Sequence, residues 1–180
     1  MDKVCAVIDA QGFNHNGIFV PREIAIVANN FHMCFLVDAK LVYNEMSDKD
    51  KKTNEYIERQ FIGLPLNSSS NCVIKNTIEY ILEVKHQYRQ LKSTEDDVIG
   101  VKNSQFQRIL TEFGIPCTNI ESFGCPTVEQ LNKTYKYTCC SNHYKLRNNY
   151  SCALKKCRLL WKWICINKKE IAALRHTNCE

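Results

Sequence analysis

The stretch that decides the fold is Val4-Cys5-Ala6-Val7-Ile8-Asp9, a short apolar run that ends in an acidic residue. Such a run followed by turn residues is typical of a buried strand, and the glycines in 12–17 predict the turn. Two further apolar runs, 23–27 and 32–37, are separated by a turn at 29–30. The chain is therefore expected to open with a three-stranded meander.

Helices and strands alternate in the rest of the sequence. The predicted elements are a helix over 76–91 capped by Asn76, a strand over 98–101, a helix over 106–113, a strand over 120–123 and a helix over 151–166. Residues 44–60 are polar and charged, and they predict a variable connection. This is the element order of an RNase H-like fold, so we predict one α/β domain over 1–180, with a mixed sheet flanked by helices.

The composition fits an intracellular globular protein. Apolar residues make up 44% and charged residues 24% of the 180 residues, enough to bury a core. No apolar run approaches the ~20 residues that span a bilayer, and the N-terminus does not resemble a secretion signal. The eleven cysteines are an odd number, so we expect free thiols rather than a disulfide framework. Those expected to be buried among apolar residues are Cys5, Cys34, Cys72, Cys117, Cys125 and Cys165.

Positive charge is concentrated in the C-terminal part of the chain. Residues 133–180 contain eleven lysines and arginines against two glutamates, whereas the preceding 132 residues contain thirteen basic and seventeen acidic ones. A basic region of this kind is expected of a protein that binds a phosphate backbone. An ordinary solvated helix face is the alternative.

Three segments resemble the motifs of the DEDDh exonucleases: Val7-Ile-Asp9-Ala-Gln11 with the Glu23-Ile-Ala strand after it, the stretch 102–110, and His143 upstream of Ser151-Cys-Ala. The positions that hold acids in that family are here Asp9, Gln11, Gln107 and Ser151. Two-metal catalysis needs clustered carboxylates, and amides and hydroxyls do not supply their negative charge. The resemblance therefore implies a degenerate nuclease scaffold, not an active DEDDh exonuclease.

The chain resembles the Maelstrom domain more fully, from Val4 to about Asn167. That family is a branch of the RNase H-like superfamily that has lost the DEDDh acids and carries a Glu-Cys-His-Cys or Glu-His-His-Cys zinc site. The matching segments are Pro21-Arg-Glu23-Ile-Ala, Cys140-Ser-Asn-His143 and Cys152-Ala-Leu154. The resemblance implies zinc ligands Glu23, Cys140, His143 and Cys152, although the neighbouring Cys139 leaves the register open. We expect no DNA-bending HMG box, which often precedes this domain.

The spacing is compatible with zinc on its own terms. Cys-x2-His-x8-Cys with one distant fourth ligand suits a tetrahedral ion. Four protein ligands leave no position for a catalytic water, so such an ion would be structural. The alternative is that Cys140 and Cys152 are buried thiols and that Glu23 is a satisfied strand-end carboxylate.

Basic residues before and on the last helix are candidates for nucleic-acid contact: Lys145, Arg147, Lys155, Lys156, Arg158 and Lys162. Trp161 and Trp163 interleave with them. Cations that follow phosphates, with aromatic rings available for stacking, are typical of single-strand binding. Trp161 lies on the apolar stripe of the helix and is expected in the core.

Three functions follow from these observations. The first is a Maelstrom-type module that binds single-stranded RNA and carries a structural zinc. The resemblance implies a role in small-RNA (piRNA) silencing of transposons, with silencing proteins as partners, in the perinuclear cytoplasm or the nucleus. The second is a single-strand endoribonuclease that works without the DEDDh acids, with catalytic groups that the sequence does not identify. The third is an interaction scaffold whose basic face meets an acidic partner.

Overall fold

The computed structural model describes residues 1–38, 41, 43–66, 77–143 and 151–177. The strands are β1 (Val4–His15), β2 (Ile18–Ala28), β3 (Phe31–Leu36), β4 (Val98–Val101) and β5 (Cys117–Asn119). The α-helices are α1 (Asp48–Tyr56), α2 (Thr77–Leu91), α3 (Ser104–Glu112), α4 (Val128–Thr134) and α5 (Ala153–Thr177). A π-helical segment (Ile57–Ile62) follows α1, and two 3-10 helices cover Tyr43–Glu45 and Ile120–Phe123.

The strands form one five-stranded sheet in the order β3-β2-β1-β4-β5. The first three strands form an antiparallel meander, and β4 and β5 continue the sheet parallel to β1. The predicted α/β class, with a mixed sheet flanked by helices, is confirmed. None of the described helices combines the length and the apolarity needed to cross a membrane.

The two faces of the sheet are covered by different helices. Because side chains alternate along a strand, Ile8, Ile24 and Ile26 pack on one face with residues of α2 and α3. Val7, Ala25 and Val27 pack on the other face with residues of α5. The same alternation places Asp9, Gln11 and Glu23 on the α5 face. Polar residues of the predicted metal site and of the positions compared with the exonuclease acids therefore face the beginning of α5.

The first hairpin is longer than predicted. The strand β1 continues through Gly12 to His15, with a register shift between Gln11 and Gly12, and the turn lies at Asn16-Gly17, where φ is 51° and 77°. A glycine is required at position 12 because a Cβ there would lie 2.1 Å from the carbonyl oxygen of Val20. The predicted turn is confirmed at its end, at 16–17, but not at its start, since Gly12 serves a bulge rather than a turn.

The polar segment 44–60 is helical, so the prediction of a variable connection is wrong. Ser47 caps α1 by accepting a hydrogen bond from the Asp50 backbone amide at 3.1 Å. The buried Asn54 then joins α1 to β1, because its Nδ2 donates to the Asn14 carbonyl at 2.6 Å and its Oδ1 accepts from the Asn14 amide at 2.9 Å. Polar contacts, not an apolar stripe, hold this helix.

The prediction of a fifth strand over 120–123 is also wrong. The strand β5 ends at Asn119, whose side chain accepts a hydrogen bond from the Glu121 amide at 2.9 Å and begins the 3-10 helix. The helix α4 was not predicted; it starts at a capping box formed by Thr127 and Gln130. The predicted cap Asn76 lies outside the described residues.

Candidate metal centre

Glu23 is the fixed point of the candidate metal centre. It lies on β2, between β3 and β1 in the sheet, and is fully buried. One carboxylate oxygen, Oε2, accepts a hydrogen bond of 2.8 Å from the backbone amide of Ala153, the first residue of α5. A carboxylate is stabilised there because the N-terminus of a helix carries partial positive charge and free N–H groups. Glu23 thus joins the sheet to α5.

The other oxygen of Glu23, Oε1, is surrounded by three further side chains. Cys140 Sγ lies 3.0 Å from it, His143 Nε2 lies 3.1 Å from it and Cys34 Sγ lies 3.4 Å from it. Cys140 and His143 come from the segment that follows α4, and Cys34 comes from β3. Donors from two separate parts of the chain therefore converge on one buried atom of a third.

The orientation of His143 suits a metal ligand. Its Nδ1 lies 2.5 Å from the carbonyl oxygen of Ile62, and a carbonyl only accepts, so Nδ1 carries a proton. Its side chain is 1% exposed, and Nε2 is buried without a hydrogen bond of good geometry, despite its proximity to Glu23. An imidazole whose second nitrogen is fixed by a backbone carbonyl is the usual arrangement of a metal-binding histidine.

Cys152 completes the group. Its Sγ accepts a hydrogen bond of 3.3 Å from the Cys140 backbone amide. The ligand atoms of Glu23, Cys140, His143 and Cys152 all lie within 4.8 Å of one another. Bonds of about 2.0–2.3 Å to a tetrahedral zinc ion place ligand atoms about 3.3–3.8 Å apart, so a small contraction suffices. This buried cluster could hold a metal ion such as zinc.

The two adjacent cysteines differ in position. Cys140, not Cys139, contributes its sulfur to the group of four. Cys139 packs against the hydrophobic core beneath α5. The sequence had left both thiols open as ligands.

The cluster concentrates negative charge. Burial acts to raise the pKa of Glu23, but contacts from His143 and Cys140 and the Ala153 amide hold that pKa below its ordinary value. The hydrogen bond from Cys140 is the main reason that the pKa of Cys152 falls to about 4. The same hydrogen bond raises the pKa of Cys140. Burial opposes the charged form of His143, yet Cys152 and Glu23 raise its pKa to about 10. A divalent cation would replace protons in such a set.

Of the four positions compared with the DEDDh acids, Asp9 and Gln11 line two adjacent cavities that form a neighbouring cleft. Asp9 is 3% exposed and lines a cavity of about 220 Å³, while Gln11 lines an adjacent cavity of about 270 Å³. Gln11 Nε2 donates to Asp9 Oδ2 at 2.9 Å. Ser151 is buried next to Cys152, and Gln107 on α3 lines neither cavity.

Lysines balance the carboxylates of that cleft. Lys156 Nζ lies 3.5 Å from Asp9 Oδ2, and Lys102 Nζ lies 3.6 Å from Glu121 Oε1. Both carboxylates line the 220 Å³ cavity. An ammonium group beside each acid supplies the positive charge that a metal ion would supply in an active nuclease.

Replacing Asp9 by asparagine is expected to stabilise the protein at neutral pH. Burial raises the pKa of Asp9, despite the opposing contacts of Lys156 and Gln11. The folded pKa thus exceeds the unfolded one, so the ionised form costs stability above the folded pKa and the cost disappears below the unfolded pKa. We expect Asp9→Asn to increase the free energy of unfolding at pH 7 by about 1 kcal/mol, a usual size for a single substitution, with no gain near pH 4. Urea denaturation at both pH values measures this.

Asp97→Asn is the control of opposite sign. Backbone amides of Ser93 and Thr94 hold the pKa of Asp97 below its ordinary value. Its carboxylate therefore stabilises the fold at pH 7, and the contribution fades as the pH falls through the folded pKa. A loss of stability in Asp9→Asn at pH 7 would show instead that the contact with Lys156 outweighs the cost of burial.

The candidate nucleic-acid contacts are placed unevenly. Lys145 and Arg147 lie outside the described residues. Lys155 is only 6% exposed, and Lys156 faces Asp9. The more accessible ones are Arg158, which is half-buried, and Lys162, which is exposed. Lys155 stays a predicted phosphate contact, but its burial at the beginning of α5 leaves little of its side chain accessible.

The tryptophans lie at different depths. Trp163 is 8% exposed. Trp161 is half-buried at the edge of the core beneath α5, and Lys168 Nζ lies 5.8 Å from the centre of its ring. Trp161 is therefore at the margin of the core rather than within it.

Two contributors to the metal centre were missed in the sequence. Cys34 is predicted as an ordinary buried thiol, and the Ile62 carbonyl lies just after the segment 44–60 that is predicted as a variable connection. The first depends on the cross-strand pairing of Cys34 with Ala25, two residues after Glu23, which no spacing in the sequence indicates. The second depends on the π-helical turn, which no sequence pattern indicates.

Comparisons with protein-family models, with curated proteins and with solved structures found no match to this chain. The functional argument therefore depends on the geometry of the cluster.

Proposed function

We propose that the protein is a Maelstrom-type module, a single RNase H-like domain that binds single-stranded RNA and is held together by a structural zinc ion. The observation that carries the proposal is the convergence of Glu23, Cys140, His143 and Cys152 in one buried cluster. These are the residues that the resemblance implies, and they come from regions far apart in the chain. Chance burial of thiols does not account for an oriented imidazole among them.

The ion would have a structural role. Glu23, Cys140, His143 and Cys152 would hold it with no position left for a reacting water, and bound zinc would supply a rigid tetrahedral link. This link joins β2, the segment after α4 and the first turn of α5. Support for a non-nuclease role also comes from the cleft, where Lys156 and Lys102 lie beside the carboxylates.

RNA binding is supported by charge. The basic excess of residues 133–180 includes Arg158 and Lys162, four positions apart on α5 and hence on one side of the helix. Cations in such an arrangement contact phosphates without reading base sequence. A role in small-RNA silencing, with silencing proteins as partners in the perinuclear cytoplasm or nucleus, extends this proposal.

The test combines metal analysis with RNA binding. We expect about one zinc per chain after purification without added metal. We also expect binding to a random single-stranded RNA whose log affinity falls linearly with log salt, with a slope of about −0.7 per phosphate contact. Fluorescence anisotropy over a series of salt concentrations measures the slope.

Other outcomes would identify other functions. Cleavage of the RNA in the presence of EDTA would indicate the endoribonuclease, and cleavage that requires Mg²⁺ would revive the nuclease cleft. Stoichiometric zinc without RNA binding at low salt would favour the scaffold. Protein without bound metal would remove the structural part of the proposal.

A further inference from the structure

Cys34 lies beside the metal centre, and neither the resemblance nor the proposed function uses it. Its Sγ is 3.4 Å from Glu23 Oε1, the oxygen that Cys140 and His143 approach at 3.0 and 3.1 Å. The sheet register fixes this position, because Cys34 pairs with Ala25, whose side chain packs in the core beneath α5. Cys34 thus lies directly beside the group of four proposed ligands, in contact with Glu23.

We propose that Cys34 is an additional metal ligand, which exchanges with Glu23 at the ion. The ion is then held by the thiolates of Cys34, Cys140 and Cys152 and by the imidazole of His143. The inference rests on the proposed zinc site and names the donors that surround its ion. It also defines the class of cation: thiophilic ions such as Zn²⁺ and Cd²⁺.

The chemistry of the donors favours this exchange. Structural zinc sites are dominated by sulfur and nitrogen ligands, and three cysteines with one histidine is a common set. On binding, the Cys34 thiol forms a metal–sulfur bond and its proton leaves to solvent, while the bond from Glu23 Oε1 to the ion breaks. The ion is neither oxidised nor reduced.

The surrounding contacts allow Glu23 to leave the ion without disturbing the fold. Its Oε2 accepts the Ala153 amide independently of Oε1, so the cap of α5 persists. Asn142 Nδ2 lies 3.9 Å from Cys34 Sγ, where it can donate to a thiolate. The buried Nε2 of His143, without a hydrogen bond of good geometry, is a second observation that points to an ion at this place.

The experiment uses four variants of the full chain: Glu23→Gln, Cys34→Ser, the double variant, and Cys117→Ser as a half-buried thiol on β5 outside the cluster. Glutamine keeps an oxygen for the Ala153 amide. Zinc affinity is measured by competition with a chromophoric chelator. Co²⁺ substitution then reports the number of thiolates through the sulfur-to-cobalt charge-transfer absorption.

We expect the zinc affinity of Glu23→Gln to lie within about tenfold of wild type. The double variant loses both exchangeable ligands, so we expect its zinc affinity to be at least about 100-fold below wild type. Cys34→Ser and Cys117→Ser should each remain close to wild type. The charge-transfer intensity should increase in Glu23→Gln over wild type. If the double variant does not fold, as judged by circular dichroism, the charge-transfer intensities of Glu23→Gln and wild type still decide the question.

The inference is overturned if Glu23→Gln binds zinc as weakly as the double variant, or if its charge-transfer intensity does not exceed that of wild type. Failure of the proposed function looks different. In that case wild type itself binds neither zinc nor cobalt stoichiometrically.

Discussion

The variant Cys152→Ala is expected to lose its metal ion and about 5 kcal/mol or more of unfolding free energy, because zinc binding in such sites is coupled to folding. Cys152 is fully buried at the start of α5. Its loss removes one of four ligands and releases the link between α5 and β2. Removal of zinc from wild type by a strong chelator should lower the free energy of unfolding by a similar amount. The same treatment should leave the stability of Cys152→Ala unchanged.

Cys157→Ala is the matched control for this prediction. Cys157 lies on the same helix, is fully buried in the same core and donates from Sγ to the Ala25 carbonyl at 3.2 Å. It is not among the cluster residues, so its truncation is expected to cost about 1–2 kcal/mol through lost packing and one hydrogen bond. Equal losses in the two variants, together with no effect of the chelator, would show that the cluster is a set of hydrogen-bonded thiols without a metal ion.

The expected size of this effect has a structural reason. The first turn of α5 is anchored to the sheet by the contact of the Ala153 amide with Glu23 and by the ion pair of Lys156 with Asp9. The carboxylate of Glu23 is fully buried and needs compensating positive charge. A bound cation supplies that charge, and without it the cluster must retain protons on His143 and Cys140. Folding and metal binding are therefore expected to be coupled.

The sequence predicted the elements whose patterns are local. Val4–Asp9 and the runs near Glu23 and Cys34 are apolar segments bounded by turn residues, and these became the antiparallel meander. Helices α3 and α5 were visible as amphipathic periods. The polar helix α1 was invisible because Asn54, which joins it to β1, makes its contacts 40 residues away.

Only part of the candidate site was accessible in the same way. The spacing of Cys140, His143 and Cys152 is local and suggested a metal site directly. Glu23 entered through the resemblance, because no spacing connects a residue of β2 to one of α5. Cys34 depends on the register of the β2–β3 pair, and the burial of Lys155 depends on how α5 packs. Both are properties of the tertiary structure.

Reversing charge at two positions of α5 is expected to abolish most RNA binding. In the variant Arg158→Glu/Lys162→Glu, the half-buried Arg158 and the exposed Lys162 become anions, and each lost phosphate contact also becomes a repulsion. We expect affinity for single-stranded RNA at low salt to fall about 100-fold, and the slope of log affinity against log salt to become shallower by about 1.4, or 0.7 per contact. Anisotropy titrations at several salt concentrations measure both quantities.

A control with the same change in net charge separates a local contact from general attraction. Lys3 and Arg108 have side chains that are 65% and 68% exposed, and they lie at the N-terminus and on α3. Lys3→Glu/Arg108→Glu should reduce affinity much less and leave the slope nearly unchanged. At 0.1 M salt, charges more than about 10 Å apart are largely screened from each other. Zinc content should match wild type in both variants, since neither touches the metal centre. Equal losses of affinity in the two double variants would contradict the prediction. RNA binding would then follow net charge rather than a contact on this side of α5.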